Sequence, residues 1–277
     1  MSGSSDDERW IGDFRALNDP ARRREIERRG EFFVVEGIFA LEALVVSRYP
    51  LRSLLVAENK LDAVRKLVAP LADLDAVPIV VRPPAELEDI TGFGFHRGVL
   101  ATARRLPPPP VDEVVAGARR LLVVEGVNDQ ENLGSLFRNA AALGIEGAVL
   151  DPTTADPLYR RTVRVSLGHV LRVPWARSDR WPGGLDGLRD RGITTVALTP
   201  AADAVDIEDL AADPPDRVAF LVGAEGPGLS PAALATADLR VRIPIAAGVD
   251  SLNVATAAAI AFHRLSLVGR GRGRDRR

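Results

Sequence analysis

Short apolar runs separated by polar, glycine-containing segments dominate the second half of the chain. Runs of this length are typical of strands buried on both faces, whereas apolar residues three and four positions apart are typical of helices. The spacing predicts a helix over 133–143 that ends at Gly144, and capping residues predict helices that begin after Ser230 and between 251 and 253. Strands are predicted at residues 121–124, 148–150, 194–198, 218–222 and 240–243. This alternation predicts a parallel sheet with helices on both faces.

The first hundred residues show a weaker form of the same alternation. Helical spacing and β-rich runs predict a small α/β domain, with helices at 22–29 and 40–46 and strands at 32–35, 54–57, 78–81 and 98–101. The prolines at 107–110 fit neither a helix nor a central strand, so the chain is predicted to divide there. The predicted organisation is a small domain at 1–106, a proline-rich linker at 107–118, a larger domain at 119–267 and a basic, disordered tail at 268–277.

The composition mainly excludes classes of structure and of chemistry. With 277 residues, 46% hydrophobic and 27% charged, the chain is an ordinary globular sequence with room for two domains. Its apolar runs are far shorter than the ~20 residues that cross a bilayer, and its start is polar, so we expect a cytoplasmic protein without a membrane partner. The absence of cysteine excludes disulfides, thiolate zinc sites and methylation through a cysteine adduct. The histidines His96, His169 and His263 are too widely spaced to predict a metal site.

The arginines are clustered although the formal net charge is only −2. One cluster spans 22–29 and the other spans 270–277. The first is either an RNA-binding surface or a solvated helix face, because glutamates alternate with its arginines; the second is either an RNA contact or a frayed terminus. Local basicity on a nearly neutral protein is compatible with selective RNA binding.

Three polar segments follow predicted strands and are candidates for one site. They span 125–134, 223–230 and 246–253. Because ligands of parallel sheets bind beyond the carboxyl ends of strands, we expect these segments to meet in one crevice.

Each segment has a functional and an ordinary structural interpretation. In the first, Gly134 and Arg138 are one helical turn apart, so Arg138 either projects into the crevice or is an exposed arginine on an amphipathic helix. In the second, glycines around Glu225 indicate either close approach of the backbone to a ligand or a plain turn with a solvated carboxylate. In the third, Ser251 or Asn253 caps an alanine-rich helix, which either packs internally or forms a dimer face.

Taken together and in this order, the segments resemble the SpoU/TrmH family of RNA ribose methyltransferases. The matching residues are Asn132, Gly134 and Arg138 in the first motif, Gly223, Glu225, Gly226, Gly228 and Leu229 in the second, and Ile243, Pro244, Ser251, Leu252, Asn253 and Val254 in the third. The likeness covers about 119–267, and it departs from the family pattern at Gln130 and Ala255, where proline and serine are usual. The segments EFFVVEGIFALEAL and HRGVLATA are similar to the ribosomal-protein-like RNA-binding domain that precedes the catalytic domain in many members.

The resemblance implies a fold, a cofactor and an assembly. The implied fold is an α/β domain with a C-terminal trefoil knot, preceded by a small α/β RNA-binding domain. It implies a homodimer with the active site at or near its interface, and methylation of a ribose 2′-hydroxyl in structured RNA, ribosomal RNA more than tRNA. S-adenosylmethionine is the implied cofactor, without a metal, and the residues expected to bind it are Leu198, Thr199, Gly223, Gly228, Ile243, Ile245 and Leu252.

The resemblance also implies the catalytic set Arg138, Asn132, Glu225, Ser251 and Asn253. A guanidinium is effectively always protonated, so we expect Arg138 to hold a phosphate and stabilise alkoxide charge, with the proton acceptor left open. The alternatives are a catalytically silent RNA-binding or ribosome-assembly protein on the same scaffold, and a nicotinamide-dependent enzyme. The last lacks the glycine fingerprint for a dinucleotide.

Overall fold

The structure is a computed structural model that describes residues 8–19, 21–22, 25–26, 31–71, 74–92, 94 and 97–270. The chain forms two compact units. The first contains Met1–Pro107 and Pro157–Arg172, and the second contains Pro108–Asp156 and Val173–Arg277. None of the helices in the described part of the chain combines the length and the apolar character needed to cross a membrane.

The first unit is built on a four-stranded mixed sheet in the order β1-β4-β2-β3. Strands β1 and β2 pair antiparallel with β4, and β2 pairs parallel with β3. The strands are β1 (Phe32–Glu36), β2 (Leu51–Ala57), β3 (Ile79–Arg82) and β4 (Val99–Arg104), and the α-helices are α1 (Ile38–Val45), α2 (Leu61–Val68), α3 (Pro84–Thr91) and, from later in the chain, α6 (Arg160–Val165). Its core includes Phe14, Leu55 and Leu100, all fully buried.

The second unit is built on a seven-stranded sheet in the order β7-β6-β5-β10-β8-β11-β9, and every pairing is parallel. Its strands are β5 (Arg120–Glu125), β6 (Gly147–Leu150), β7 (Trp175–Arg177), β8 (Thr194–Leu198), β9 (Val205–Asp206), β10 (Val218–Gly223) and β11 (Leu239–Arg242). Its helices are α4 (Val111–Val115), α5 (Gln130–Ala142), α7 (Asp186–Arg189), α8 (Ile207–Ala212), α9 (Pro231–Thr236) and α10 (Val254–Arg270). The predicted α/β fold with a parallel sheet is confirmed, and the trefoil knot stays a prediction.

Burial explains why the central strands were the clearest in the sequence. Strands β5 and β10 are buried at every position, as expected for parallel strands covered on both faces. Helix α10 packs on β10 with Phe262 edge-on to Phe220, their ring centroids 5.1 Å apart. The short strands β7 and β9 were not predicted.

Two features differ from the predicted domain organisation. Residues Val111–Val115, placed in the linker, form α4, and Val115 and Ala118 are buried in the core of the second unit. Residues Pro157–Arg172, placed in the continuous larger domain, belong to the first unit, where α6 packs on β1. Sequence periodicity shows which face of an element is buried but not which core buries it.

The arginine clusters lie largely outside the described residues. Of 22–29, only 22, 25 and 26 are described, and of 270–277 only 270 is described. The helix predicted over the first cluster and the disorder predicted for the tail stay predictions, as does cytoplasmic localisation.

Candidate functional site

A cavity of about 790 Å³ opens at the carboxyl edge of the second unit's sheet. Strands β8, β10 and β11 are neighbours and parallel, so their carboxyl ends meet at this edge. Residue 198 ends β8, Gly223 ends β10 and residue 243 follows β11 directly. All the residues predicted to bind the cofactor line the cavity: Leu198, Thr199, Gly223, Gly228, Ile243, Ile245 and Leu252.

The glycine-rich segment after β10 folds back tightly on itself. The backbone N–H of Gly228 donates to the carbonyl of Ala224 at 3.0 Å. A Cβ at Gly223 would overlap the backbone of Gly228 and Leu229, and Gly226 and Gly228 have φ of +85° and +71°. These positions need glycine for close approach or for left-handed backbone, and the loop forms one wall of the cavity.

Buried Glu125 fixes the far end of this loop. It ends β5 and lies opposite Gly223 in the parallel register of β5 and β10. Its carboxylate accepts hydrogen bonds from the backbone N–H of Ser230 at 2.8 Å, the Ser230 hydroxyl at 2.7 Å and the Trp181 indole N–H. Glu125 was not predicted as a site residue, although an acidic side chain directly after the apolar run 121–124 was a readable signal. Ser230 then caps α9 by accepting from the N–H of Ala233 at 3.1 Å.

Asn253 joins the three predicted motifs. Its Nδ2 donates to Oδ1 of Asn132 at 2.8 Å and to Oε1 of Glu225 at 2.9 Å. Its Oδ1 accepts from the N–H groups of Ala255 and Thr256 at 2.9 and 3.2 Å, so the same side chain caps α10. The two amide hydrogens and the amide oxygen are all used, which fixes the orientation of the side chain. Asn253 therefore both caps α10 and links the three segments, and its catalytic role stays a prediction.

The cavity lining is acidic. Glu225 and Asp250 line it, and no lysine or arginine is among its lining residues. Ser251 and Asn253 also line it and add a hydroxyl and an amide. Asp250 was not predicted as a site residue, and its position next to Ser251 was the available signal. Carboxylates without a cationic partner favour a ligand that carries positive charge.

Two predicted catalytic residues lie outside the cavity lining. Asn132 is buried in the first turn of α5 and reaches the site through its hydrogen bond to Asn253. Arg138 is exposed, one turn after buried Gly134, and its side chain makes no hydrogen bond or ion pair with another described residue. Helix α5 packs on α10, where the amide of Asn139 donates to the carbonyl of Ala255 at 2.8 Å. The guanidinium of Arg138 is thus available to a ligand outside the cavity.

A second carboxylate rigidifies the segment that leads into α5. Asp151 is buried after β6 and accepts from the N–H groups of Gly126 and Thr154 at 3.0 and 2.8 Å and from the hydroxyls of Thr153 and Thr154. Burial acts to raise the pKa of Asp151, but these hydrogen bonds together lower the pKa below its ordinary value. Within the described ranges, no group of histidine, aspartate or glutamate side chains is arranged to hold a metal ion.

The fold and the site define a parallel α/β domain that binds a small ligand beyond its strand ends. The model of the SpoU rRNA methylase family matches residues 119–263, more than half of the chain. The chain belongs to this family and is a methyltransferase of the SpoU type.

Relatives and solved structures agree with this assignment. The chain is 46% identical over 264 residues to a protein of Mycobacterium bovis named as an uncharacterized tRNA/rRNA methyltransferase, covering 95% of this chain and 90% of that one. It is similar to an AdoMet-bound rRNA methyltransferase from Sinorhizobium meliloti, with a TM-score of 0.74, 26% identity and coverage of 92% and 93%. A solved RNA 2′-O ribose methyltransferase has a TM-score of 0.71, 26% identity and 98% coverage of both chains.

Proposed function

We propose that this protein transfers a methyl group from S-adenosylmethionine to a ribose 2′-hydroxyl in structured RNA, ribosomal RNA more than tRNA. The observation that carries the proposal is the acidic cavity of about 790 Å³ at the strand ends. Its volume suits a cofactor-sized ligand, and Glu225 and Asp250 suit a ligand with a sulfonium and an ammonium group. The AdoMet-bound neighbour supports the choice of cofactor.

The residues present fit S-adenosylmethionine better than a dinucleotide. Apolar side chains from Leu198, Ile243 and Leu252 offer a surface for a flat base, and the loop after Gly223 brings backbone groups close to the ligand space. A pyrophosphate would be repelled by carboxylates and would find no lysine or arginine in the lining. The nicotinamide alternative is therefore disfavoured by charge as well as by the missing fingerprint.

The polar side chains at the cavity position one another and the ligand. S-adenosylmethionine supplies a methyl group already activated by its positive sulfur. The Nδ2 of Asn253 holds Glu225 at the cavity and also donates to Asn132, which fixes the position of Asn253. Ser251 is placed to contact the ligand or the ribose from the cavity wall.

Arg138 acts on the RNA rather than on the cofactor. It lies outside the cavity lining and stays protonated, so its role is to hold the phosphate beside the target ribose and to stabilise negative charge as the hydroxyl loses its proton. A homodimer with the active site at or near its interface is part of the proposal, and exposed Arg138 is available to such an interface.

The proposal is tested by following the methyl group. Purified protein is incubated with methyl-labelled S-adenosylmethionine and RNA from cells that lack this protein, and the RNA is separated by class and digested to nucleosides. We expect label in 2′-O-methylated nucleosides of ribosomal RNA. Label on bases would contradict the choice of the 2′-hydroxyl, and label in tRNA alone would contradict the preferred target. Absent transfer and absent cofactor binding would together favour a catalytically silent RNA-binding protein.

A further inference from the structure

The first unit carries a buried carboxylate surrounded by arginines. Glu36 ends β1 and has only 4% of its surface exposed. Arg160 donates to its Oε2 from Nε and Nη2 at 3.1 and 2.8 Å. Arg97 and Arg164 approach the same carboxylate at 3.8 and 3.7 Å. Three guanidiniums around one carboxylate leave an excess of positive charge at this point of the unit.

Arg97 and Arg164 keep hydrogen-bonding capacity. The nitrogen–oxygen distances from Arg97 and Arg164 to Glu36, 3.8 and 3.7 Å, are those of ion pairs and are too long for hydrogen bonds. Neither side chain donates to another described residue, and the two are 47% and 34% exposed. Glu36 thus limits where both guanidiniums lie without occupying their donors. Planar donors held in place by charge suit the oxygens of a phosphate.

The segment Pro157–Arg172 concentrates charge of one sign. It contains four arginines, Arg160, Arg161, Arg164 and Arg172, and no aspartate or glutamate, in a chain whose formal net charge is −2. Such a local excess on a nearly neutral protein is the electrostatic pattern of a surface that meets phosphates.

An exposed aromatic side chain follows Glu36 closely along the chain. Phe39 is 61% exposed in the first turn of α1, three residues after Glu36, so their Cα atoms are at most about 11 Å apart. Arg97 reaches the same turn, because a Cβ at Gly37 would lie 3.2 Å from its Cδ. Proteins hold single-stranded RNA by combining phosphate-binding donors with exposed aromatic side chains, on which unpaired bases stack.

We propose that Phe39, Arg97 and Arg164 form a binding site for an unpaired nucleotide of RNA, with the base on Phe39 and the adjacent phosphates on the two arginines. The inference deepens the proposed function, on which it rests for the identity of the polymer. It gives the first unit a specific task, which is to select RNA that has a single-stranded segment.

The test compares binding of the full chain to a hairpin RNA with an unpaired loop and to a blunt duplex of equal length, across a salt series. Phe39→Ala is expected to weaken hairpin binding about fivefold or more and to leave duplex binding unchanged. Phe39→Tyr should retain hairpin affinity, whereas Phe39→Leu should not, because only tyrosine preserves the aromatic face. Val46→Ala is the matched control, since Val46 is 68% exposed just after the same helix.

The double variant Arg97→Gln/Arg164→Gln should weaken binding to the hairpin and reduce the magnitude of its salt slope by about 1.4, the value for two phosphate contacts on a single strand. Arg65→Gln, an exposed arginine on α2, controls for loss of charge from the same unit and should change less. Wild-type affinity in Phe39→Ala and in the double variant would overturn the inference, as would absence of hairpin binding by the wild type. Failure of the proposed function is separate, because it shows as a wild-type protein that binds the hairpin but not S-adenosylmethionine.

Discussion

The two units organise polar groups in opposite ways. In the second unit, Asn253 uses both amide hydrogens and its oxygen within the protein, and Glu125 accepts three hydrogen bonds. In the first unit, Glu36 holds Arg97 and Arg164 by charge and leaves their donors unused. A small ligand needs a cavity of one shape, whereas a long polyanion needs donors that face outward. The difference indicates where each class of ligand binds.

Arg138→Ala has the largest expected effect in this comparison, because Arg138 is an exposed guanidinium of the second unit that makes no hydrogen bond or ion pair with another described residue. We expect methyl transfer to fall more than a hundredfold, a loss of about 3 kcal/mol of transition-state stabilisation, while S-adenosylmethionine binding stays unchanged. Arg138→Lys should recover little, since lysine keeps the charge but loses the planar fork. Single-turnover methylation beside calorimetry measures both. Wild-type rates would refute the catalytic role, and lost cofactor binding would make the residue structural.

Gly223→Ala tests the fixed shape of the cavity. The added methyl group would overlap the backbone of Gly228, so the loop must move and cofactor affinity should fall at least about tenfold. Gly183→Ala is the matched control in the same unit, since a Cβ there meets nothing within 4 Å. Equal cofactor affinities of the two variants, measured by calorimetry, would show that the loop's shape is unimportant.

Glu125→Gln tests the same loop at its other end, where Glu125 holds Ser230. The neutral amide keeps the size but can no longer accept from Ser230 and Trp181 with a full negative charge, so we expect a loss of about 1.5–3 kcal/mol in the free energy of unfolding. The KM for S-adenosylmethionine should rise several-fold while kcat changes little. A changed kcat with an unaltered KM would place Glu125 in the chemical step instead. Glu113→Gln, at an exposed glutamate of α4, is the control.

Asp151→Asn is expected to change stability in a pH-dependent way. Because its pKa is lower in the folded protein than its unfolded value of about 3.9, its stabilisation is present above that value and is lost as the pH falls through the folded pKa. Asp151→Asn should therefore lower the free energy of unfolding by about 2 kcal/mol at neutral pH, and the gap from wild type should narrow below about pH 4. Denaturant unfolding at several pH values measures the gap. A gap that is constant with pH would contradict this assignment.

Sequence predicted the parts of the fold and site that depend on local pattern. Strands β5 and β10 were found because fully buried strands contain continuous apolar runs, and the loop after Gly223 was found from its glycines. Asn253 was found as a helix cap, but its bond to Asn132, 121 residues away, is set by tertiary packing.

The local sequence pattern did not show which elements and side chains lie together in the folded chain. Helix α6 was assigned to the larger domain, although its contacts with β1 place it in the first unit. Glu36 was part of a quoted motif, but its arginine partners come from distant segments of the chain. Tertiary packing brings these distant segments together, and the periodicity along a single helix or strand does not show which segments will meet.

The central claim is that the cavity at the strand ends of the second unit binds S-adenosylmethionine. Calorimetric titration of this compound into the purified full chain, without added metal, tests it most directly. We predict heat of binding to one site per chain. Correctly folded wild-type protein that gives no heat with S-adenosylmethionine would contradict the account.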